Sequence, residues 1–150
     1  METWRYRLGQ ALGVSLLLAS LSGCQHADAQ APAATSGATI TLSGQEEVPP
    51  VSTGAAGTGM IRVASDRTVS GKVTYSGVTA TMAHIHHGSK GSSGPPIVTL
   101  TKVSDSAFTV PEGARLTEEQ YEQYKAGNLY INIHSQRYPS GELRGQLRAE

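Results

Sequence analysis

The sequence predicts an all-β domain, an antiparallel sandwich or barrel carrying one short helix. Six or seven short runs alternate apolar and polar residues with period two, at regular spacing. Gly, Pro and Asp clusters punctuate them, and only one stretch, near residues 116–126, carries helix-start and helix-stop signals.

The first run is Thr39-Ile40-Thr41-Leu42, broken by Gly44 and then by Pro49-Pro50. From Thr58 to Ala64, Ile61 and Val63 share one face against Met60 and Arg62. Asp66-Arg67 reads as a turn, and Thr68 to Tyr75 resumes with Val69, Val73 and Tyr75 inward and Ser70, Lys72 and Thr74 outward. These two runs are expected to form a hairpin. Met82 to His86 is the next strand, and the glycines and prolines of Gly88 to Pro96 make that segment a loop. Ile97 to Leu100, Leu129 to His134 and Leu143 to Leu147 complete the set. The helix begins at Thr117, an N-cap with Gln120 three residues on as a capping box. Glu118 and Glu119 lie in its first turn, Lys125 in its last, and Gly127 supplies the stop. Leu116 is placed to staple against Tyr121, so the helix is expected to cap one end of the sandwich, with Tyr121 and Tyr124 as packing residues.

Residues 1–23 read as an export signal. Arg5 and Arg7 precede an apolar run from Ala11 to Leu21 that is too short to span a bilayer. Leu21-Ser22-Gly23-Cys24 resembles the bacterial lipobox, in which cleavage falls before the Cys and that Cys is acylated. Cys24 is therefore the expected lipidation site, and the membrane the first expected partner. Gln25 rather than Asp at the next position resembles the signal for outer-membrane sorting, which gives an envelope protein facing the periplasm. Residues 24–37 are small, polar and Pro-containing and read as a flexible tether, with His26 a solvated member of it.

Beyond residue 23 the twelve basic residues lose Arg5 and Arg7 and the twelve acidic ones lose Glu2. Ten against eleven leaves a formal charge of −1. A near-neutral domain lacks the basic footprint of a nucleic-acid binder. Cys24 is the chain's single cysteine, so a metal site in the domain has no thiolate to draw on and is expected to use nitrogen and oxygen ligands.

The order of several motifs resembles the CHRD (chordin-type) domain over about residues 38–148. They are Leu42-Ser43-Gly44-Gln45-Glu46-Glu47-Val48-Pro49-Pro50, Gly54-Ala55-Ala56-Gly57, Ala83-His84-Ile85-His86 before a Gly-rich loop, and Leu116-Thr117-Glu118-Glu119-Gln120. Asn132-Ile133-His134 and Tyr138-Pro139-Ser140-Gly141-Glu142-Leu143-Arg144-Gly145-Gln146-Leu147 follow. The resemblance implies an extracytoplasmic immunoglobulin-like or superoxide-dismutase-like β-sandwich and no settled activity. His87 stands where the family often has Gly.

The residues that could carry chemistry are histidines. Strand alternation places His84 and His86 on one face, opposite Ala83 and Ile85, and Tyr130, Asn132 and His134 on one face, opposite Ile131 and Ile133. Burying the aliphatic faces leaves His84, His86 and His134 on an outward polar surface, where imidazoles from adjacent strands can reach one ion. Such a set suits copper, and zinc less well on the general affinity series. Copper/zinc superoxide dismutase uses a His-x-His strand on a similar architecture, but the other ligands and the disulfide have no counterpart here, so dismutase chemistry is disfavoured. The competing reading of the same histidines is hydrogen bonding that organises the Gly-rich loop.

His87 is expected on the other face or in the loop. Asn132, Glu142 and Arg144 are candidates for supporting the ligands by hydrogen bonds, with Glu142–Arg144 as an exposed ion pair the plainer reading of the last two. Tyr130 and Tyr138 are candidates for lining the site. Ser135 cannot pair with His134 from a neighbouring strand position, and no nucleophile set stands out. The expected function is metal binding for sequestration or tolerance, without catalysis; a mononuclear copper or zinc enzyme, for which Glu142 is the one nearby acid or base, is disfavoured. The alternative is an adhesion or protein/glycan-interaction module, expected if the three histidines lie more than about 8 Å apart, beyond the span of ligand bonds of roughly 2 Å.

Overall fold

The computed structural model describes residues 38–149; the stretches expected to be an export signal (1–23) and a tether (24–37), with Cys24 and His26, lie outside that range. Period-two alternation builds the strands as expected. In β1 (Thr39–Ser43), Ile40 and Leu42 are buried between exposed Thr39 and Thr41. In β2 (Ala56–Val63), Gly57, Gly59 and Ile61 face inward, and in β3 (Val69–Ser76), Val69, Val73 and Tyr75 do. These two strands pair antiparallel from Ala56↔Ser76 to Val63↔Val69, the expected hairpin. Its turn is closed by the Arg67 N–H on the Ala64 carbonyl at 2.8 Å and by Asp66, which accepts from the Thr68 N–H at 3.0 Å.

The chain continues through β4 (Ala80–His87), β5 (Pro96–Thr99), β6 (Thr101–Ser104), β7 (Ala107–Thr109), helix α1 (Glu118–Lys125), β8 (Leu129–Ser135) and β9 (Leu143–Gln146). All strand pairs are antiparallel, in the order β5-β4-β8-β9-β1-β2-β3-β7-β6. The two ends of that order are one continuous stretch of chain. β5 pairs with β4 and β6 with β7, and only Leu100 separates them, its N–H bonded to the Ala83 carbonyl at 2.9 Å. Residues 96–104 therefore join both edges, and the sheet is a nearly closed sandwich or barrel. Leu42, Val73, Ile85, Ile131, Ile133 and Leu143 fill its interior at no more than 1% exposure.

The helix matches its signals. The Gln120 N–H donates to Thr117 Oγ1 at 3.1 Å and the Thr117 N–H to Gln120 Oε1 at 2.9 Å, a complete capping box. Gly127 follows the C-cap at φ 74°, a left-handed conformation that glycine adopts without a Cβ clash. Leu116 and Tyr124 are buried against the core.

Two strands exceed the expectation. All four residues of β6 are exposed and show no alternation, and β7 spans only three, so neither carries a readable period. A third difference matters more. All seven residues of β8 are buried, including its polar face, because loops cover the side expected to meet water.

Candidate metal site

Pairing fixes the map of that covered face. Across β4 and β8, Met82 stands opposite His134, His84 opposite Asn132, and His86 opposite Tyr130. Across β8 and β9, Asn132 stands opposite Arg144 and Tyr130 opposite Gln146. Ala83, Ile85, Ile131 and Ile133 point the other way into the core, at 0–1% exposure. The aliphatic half of each strand thus holds the polar half in place.

Three segments cover the polar half. The Gly88–Pro95 loop folds over β8 and is tied down residue by residue. Arg144 Nη2 donates to the Ser89 carbonyl at 2.9 Å, Gln146 Nε2 to the Gly88 carbonyl at 2.9 Å, and the Gly94 N–H to Tyr130 Oη at 3.2 Å. After β1, Glu47 is buried and accepts from Asn132 Nδ2 at 2.8 Å. Before β9, Gly141 adopts φ +140°, and a Cβ there would lie 2.5 Å from the Asn132 amide and 2.7 Å from Glu47. Only glycine lets the backbone come that close.

His84, His86 and His134 meet in this layer. One nitrogen from each lies within 4.8 Å of the others, and ring centroids are 5.0 to 5.9 Å apart. The His86 Nδ1–H donates to the Gly94 carbonyl and the His134 Nδ1–H to the Pro139 carbonyl, both at 2.9 Å. A carbonyl only accepts, so both rings carry the proton on Nδ1 and present the Nε2 lone pair inward. His86 Nε2 is buried and takes part in no hydrogen bond; His134 Nε2 lies 3.0 Å from His84 Nδ1. Pinning the outer ring nitrogen on a backbone carbonyl is how ligating imidazoles are oriented. With bonds of about 2.0–2.1 Å, two nitrogens on one ion are at most about 4.2 Å apart, so small ring rotations bring all three onto a common centre.

Burial pushes all three imidazoles below the usual histidine range. For His86, the nearby charges of His84 and Arg144 add to burial and the Gly94 bond opposes it; for His134, His84 and His86 add and the Pro139 bond opposes. Each ring is therefore neutral at pH 7, the form that binds metals. Burial pushes Glu47 up to about 7, against the pull of Arg144 and the Asn132 hydrogen bond.

The supporting residues sit differently from their expected places. Glu142 and Arg144 are not an exposed pair: they are 6% and 2% exposed and point to different partners. Glu142 accepts from Thr53 Oγ1 at 2.7 Å and Ser135 Oγ at 2.5 Å, tying the loop before β2 to the end of β8 rather than holding an imidazole, and the Nδ1–H groups of His86 and His134 go to backbone carbonyls instead. The Arg144 guanidinium lies 3.6 Å from the centre of the Tyr130 ring, on which His86 also stacks at 4.9 Å. Arg144 thus reaches His86 through the Tyr130 ring, and Asn132, bonded to Glu47, adjoins the cluster as the cross-strand partner of His84. His87 pairs with Leu129 at the far end of β4 and is outside the cluster. Tyr138 Oη reaches the Ser52 carbonyl at 3.5 Å, on the rim. Sequence reasoning missed Glu47, whose covering role depends on a contact 85 residues away, and Met82, which the same period-two rule places beside His84.

A comparison with protein families matches residues 38–147 to the CHRD domain. No curated protein matches the chain. No solved structure matches it either.

Proposed function

The chain belongs to the CHRD domain family, and on that footing we propose that it is an exported, lipid-anchored envelope protein that binds a transition metal ion through His84, His86 and His134. Copper is favoured over zinc, since a nitrogen set without thiolate follows the general affinity order. The role is sequestration or tolerance, with the ion held as cargo and no turnover. One observation carries the reading: three nitrogens within 4.8 Å, two of them on rings whose other nitrogen is fixed by a backbone carbonyl. That spacing is well inside the 8 Å beyond which the interaction-module alternative would be preferred.

Titrating the purified protein with Cu(II), Cu(I) and Zn(II), beside a variant with all three histidines changed to Ala, tests it. Binding by the wild type and its loss in the variant are expected; equal affinities would end the proposal. The anchor at Cys24 is tested separately, by labelled-palmitate incorporation and membrane fractionation of Cys24→Ala. Label and membrane association should both disappear.

A further inference from the structure

Beside the three histidines, on the same face of β4, stands Met82, 49% exposed while its neighbour Ala83 is fully buried. Exposure alone says little, since Met60 on β2 is 48% exposed and stands opposite only Thr39 and Lys72. Position separates the two. Met82 is the cross-strand partner of His134 and lies two residues before His84, so it adjoins both members of the closest imidazole pair.

The strand is also adjusted there. Pairing steps from Ala80↔Ser135 to Met82↔His134, leaving Thr81 as an extra residue, a β-bulge, and Thr81 Oγ1 donates to the His134 carbonyl at 3.2 Å. Bulges of this kind re-aim a side chain next to a site. Directly opposed residues bring their Cβ atoms to about 4.5–5.5 Å, and methionine's three rotatable bonds give its sulfur the reach to approach the same centre.

We propose that Met82 supplies a thioether ligand beside His84, His86 and His134, giving a three-nitrogen, one-sulfur set that selects cuprous copper over zinc. A thioether is a soft donor, suited to Cu(I) and poorly suited to Zn(II). The proposal rests on the metal-binding reading above and assigns its cargo. His86 and His134 form the buried floor of the site, half-buried His84 its wall, and Met82 the solvent side from which the ion is passed on.

The test compares the full-length wild type, Met82→Leu and the triple histidine variant. Cu(I) affinity is read by competition with a chromophoric chelator, Zn(II) affinity by titration, and the copper environment by X-ray absorption. Leucine conserves volume and keeps the strand intact. Met82→Leu should lower Cu(I) affinity about tenfold or more while leaving Zn(II) binding within about twofold, and a sulfur scatterer should vanish from the copper spectrum. Unchanged Cu(I) affinity, with no sulfur scatterer in the wild type, overturns the role of Met82 and leaves the histidine site standing if the triple variant still loses binding. A wild type that binds neither metal overturns both.

Discussion

His84 Nδ1 and His134 Nε2 lie 3.0 Å apart although the two residues are not cross-strand partners: His84 faces Asn132 and His134 faces Met82, so the rings meet on the diagonal. The contact defines a proton. His134 Nδ1 already donates to Pro139, so Nε2 carries a lone pair and His84 Nδ1 must be the donor. Metal uptake at His84 Nδ1 requires that proton to leave, and the neutral ring to carry it on Nε2 instead. Imidazole ¹⁵N shifts should accordingly assign Nδ1–H to all three rings without metal and an Nε2–H to His84 once Zn(II) is added. A His84 that is already Nε2–H before metal addition would contradict the pairing.

Acid should weaken the site late rather than early. Free imidazole titrates near pH 6.5, and burial holds all three rings below that value, so protons compete for them only at lower pH. Affinity for Zn(II) should stay nearly flat from pH 8 to about 6.5 and fall below it. Metal-free stability should follow the same direction. The unfolded chain takes up protons first, so the contribution of these rings is complete above the unfolded value and is lost as pH falls through the folded ones. Affinity that declines already between pH 8 and 7 would show that the rings are not held neutral.

The period-two parity of Ala83, Ile85, Ile131 and Ile133 was sufficient to put the three histidines on a common side, because a one-residue slip would have turned every aliphatic side chain to water. The environment of that side was not readable. Its cover comes from Ser89, Gly94, Glu47 and Pro139, which local alternation does not connect to β8, and the Nδ1–H groups of His86 and His134 and the Arg144 guanidinium are met by backbone carbonyls that carry no sequence signature. Arg144 illustrates the gap. A charged residue opposite Asn132 reads as surface, yet Tyr130 and the Ser89 carbonyl make a 2%-exposed guanidinium tolerable.

Gly141→Ala should be among the most damaging small substitutions in the chain. Its φ of +140° disfavours any side chain, and the new Cβ would press on the Asn132 amide and on Glu47. Strain and displacement together should cost about 2 kcal/mol or more, read as a lower urea midpoint with unchanged slope. Because Asn132 adjoins Ile133 and His134 on β8, metal affinity should fall as well. A variant as stable as the wild type would mean that the loop before β9 can retreat.

Glu47→Gln should stabilise the protein at high pH only. Glutamine keeps an oxygen for the Asn132 amide and removes a charge that burial disfavours. The folded pKa of about 7 exceeds the ordinary 4.5, so the native state holds this proton more tightly than the unfolded chain does. Its stabilising effect is full below the unfolded value and lost as pH rises through 7. At pH 8 the variant should gain on the order of 1 to 3 kcal/mol, and at pH 4 the two proteins should match. Thermal melts at both values decide it, and an equal difference at the two pH values would remove Glu47 from the account.

Arg144→Met tests whether the covering layer acts as one unit. The guanidinium does three things at once: it rests on Tyr130, holds the Gly88–Pro95 loop through Ser89, and lowers the proton affinity of Glu47. Methionine keeps much of the bulk and loses all three. Removing the charged hydrogen bond to the Ser89 carbonyl, which keeps only the Ser92 N–H, and the cation from the ring should cost about 1 to 3 kcal/mol. Without the positive neighbour, Glu47 should titrate above 7, measurable by carboxyl ¹³C shifts, and His86 should take up protons more readily because Arg144 also disfavours its charged form. The acid fall in metal affinity should then begin at higher pH than in the wild type. If the loop loosens, seen as faster amide exchange at Gly94, while the Glu47 and His86 titrations stay put, Arg144 is a mechanical clamp and its charge plays no part in tuning the site.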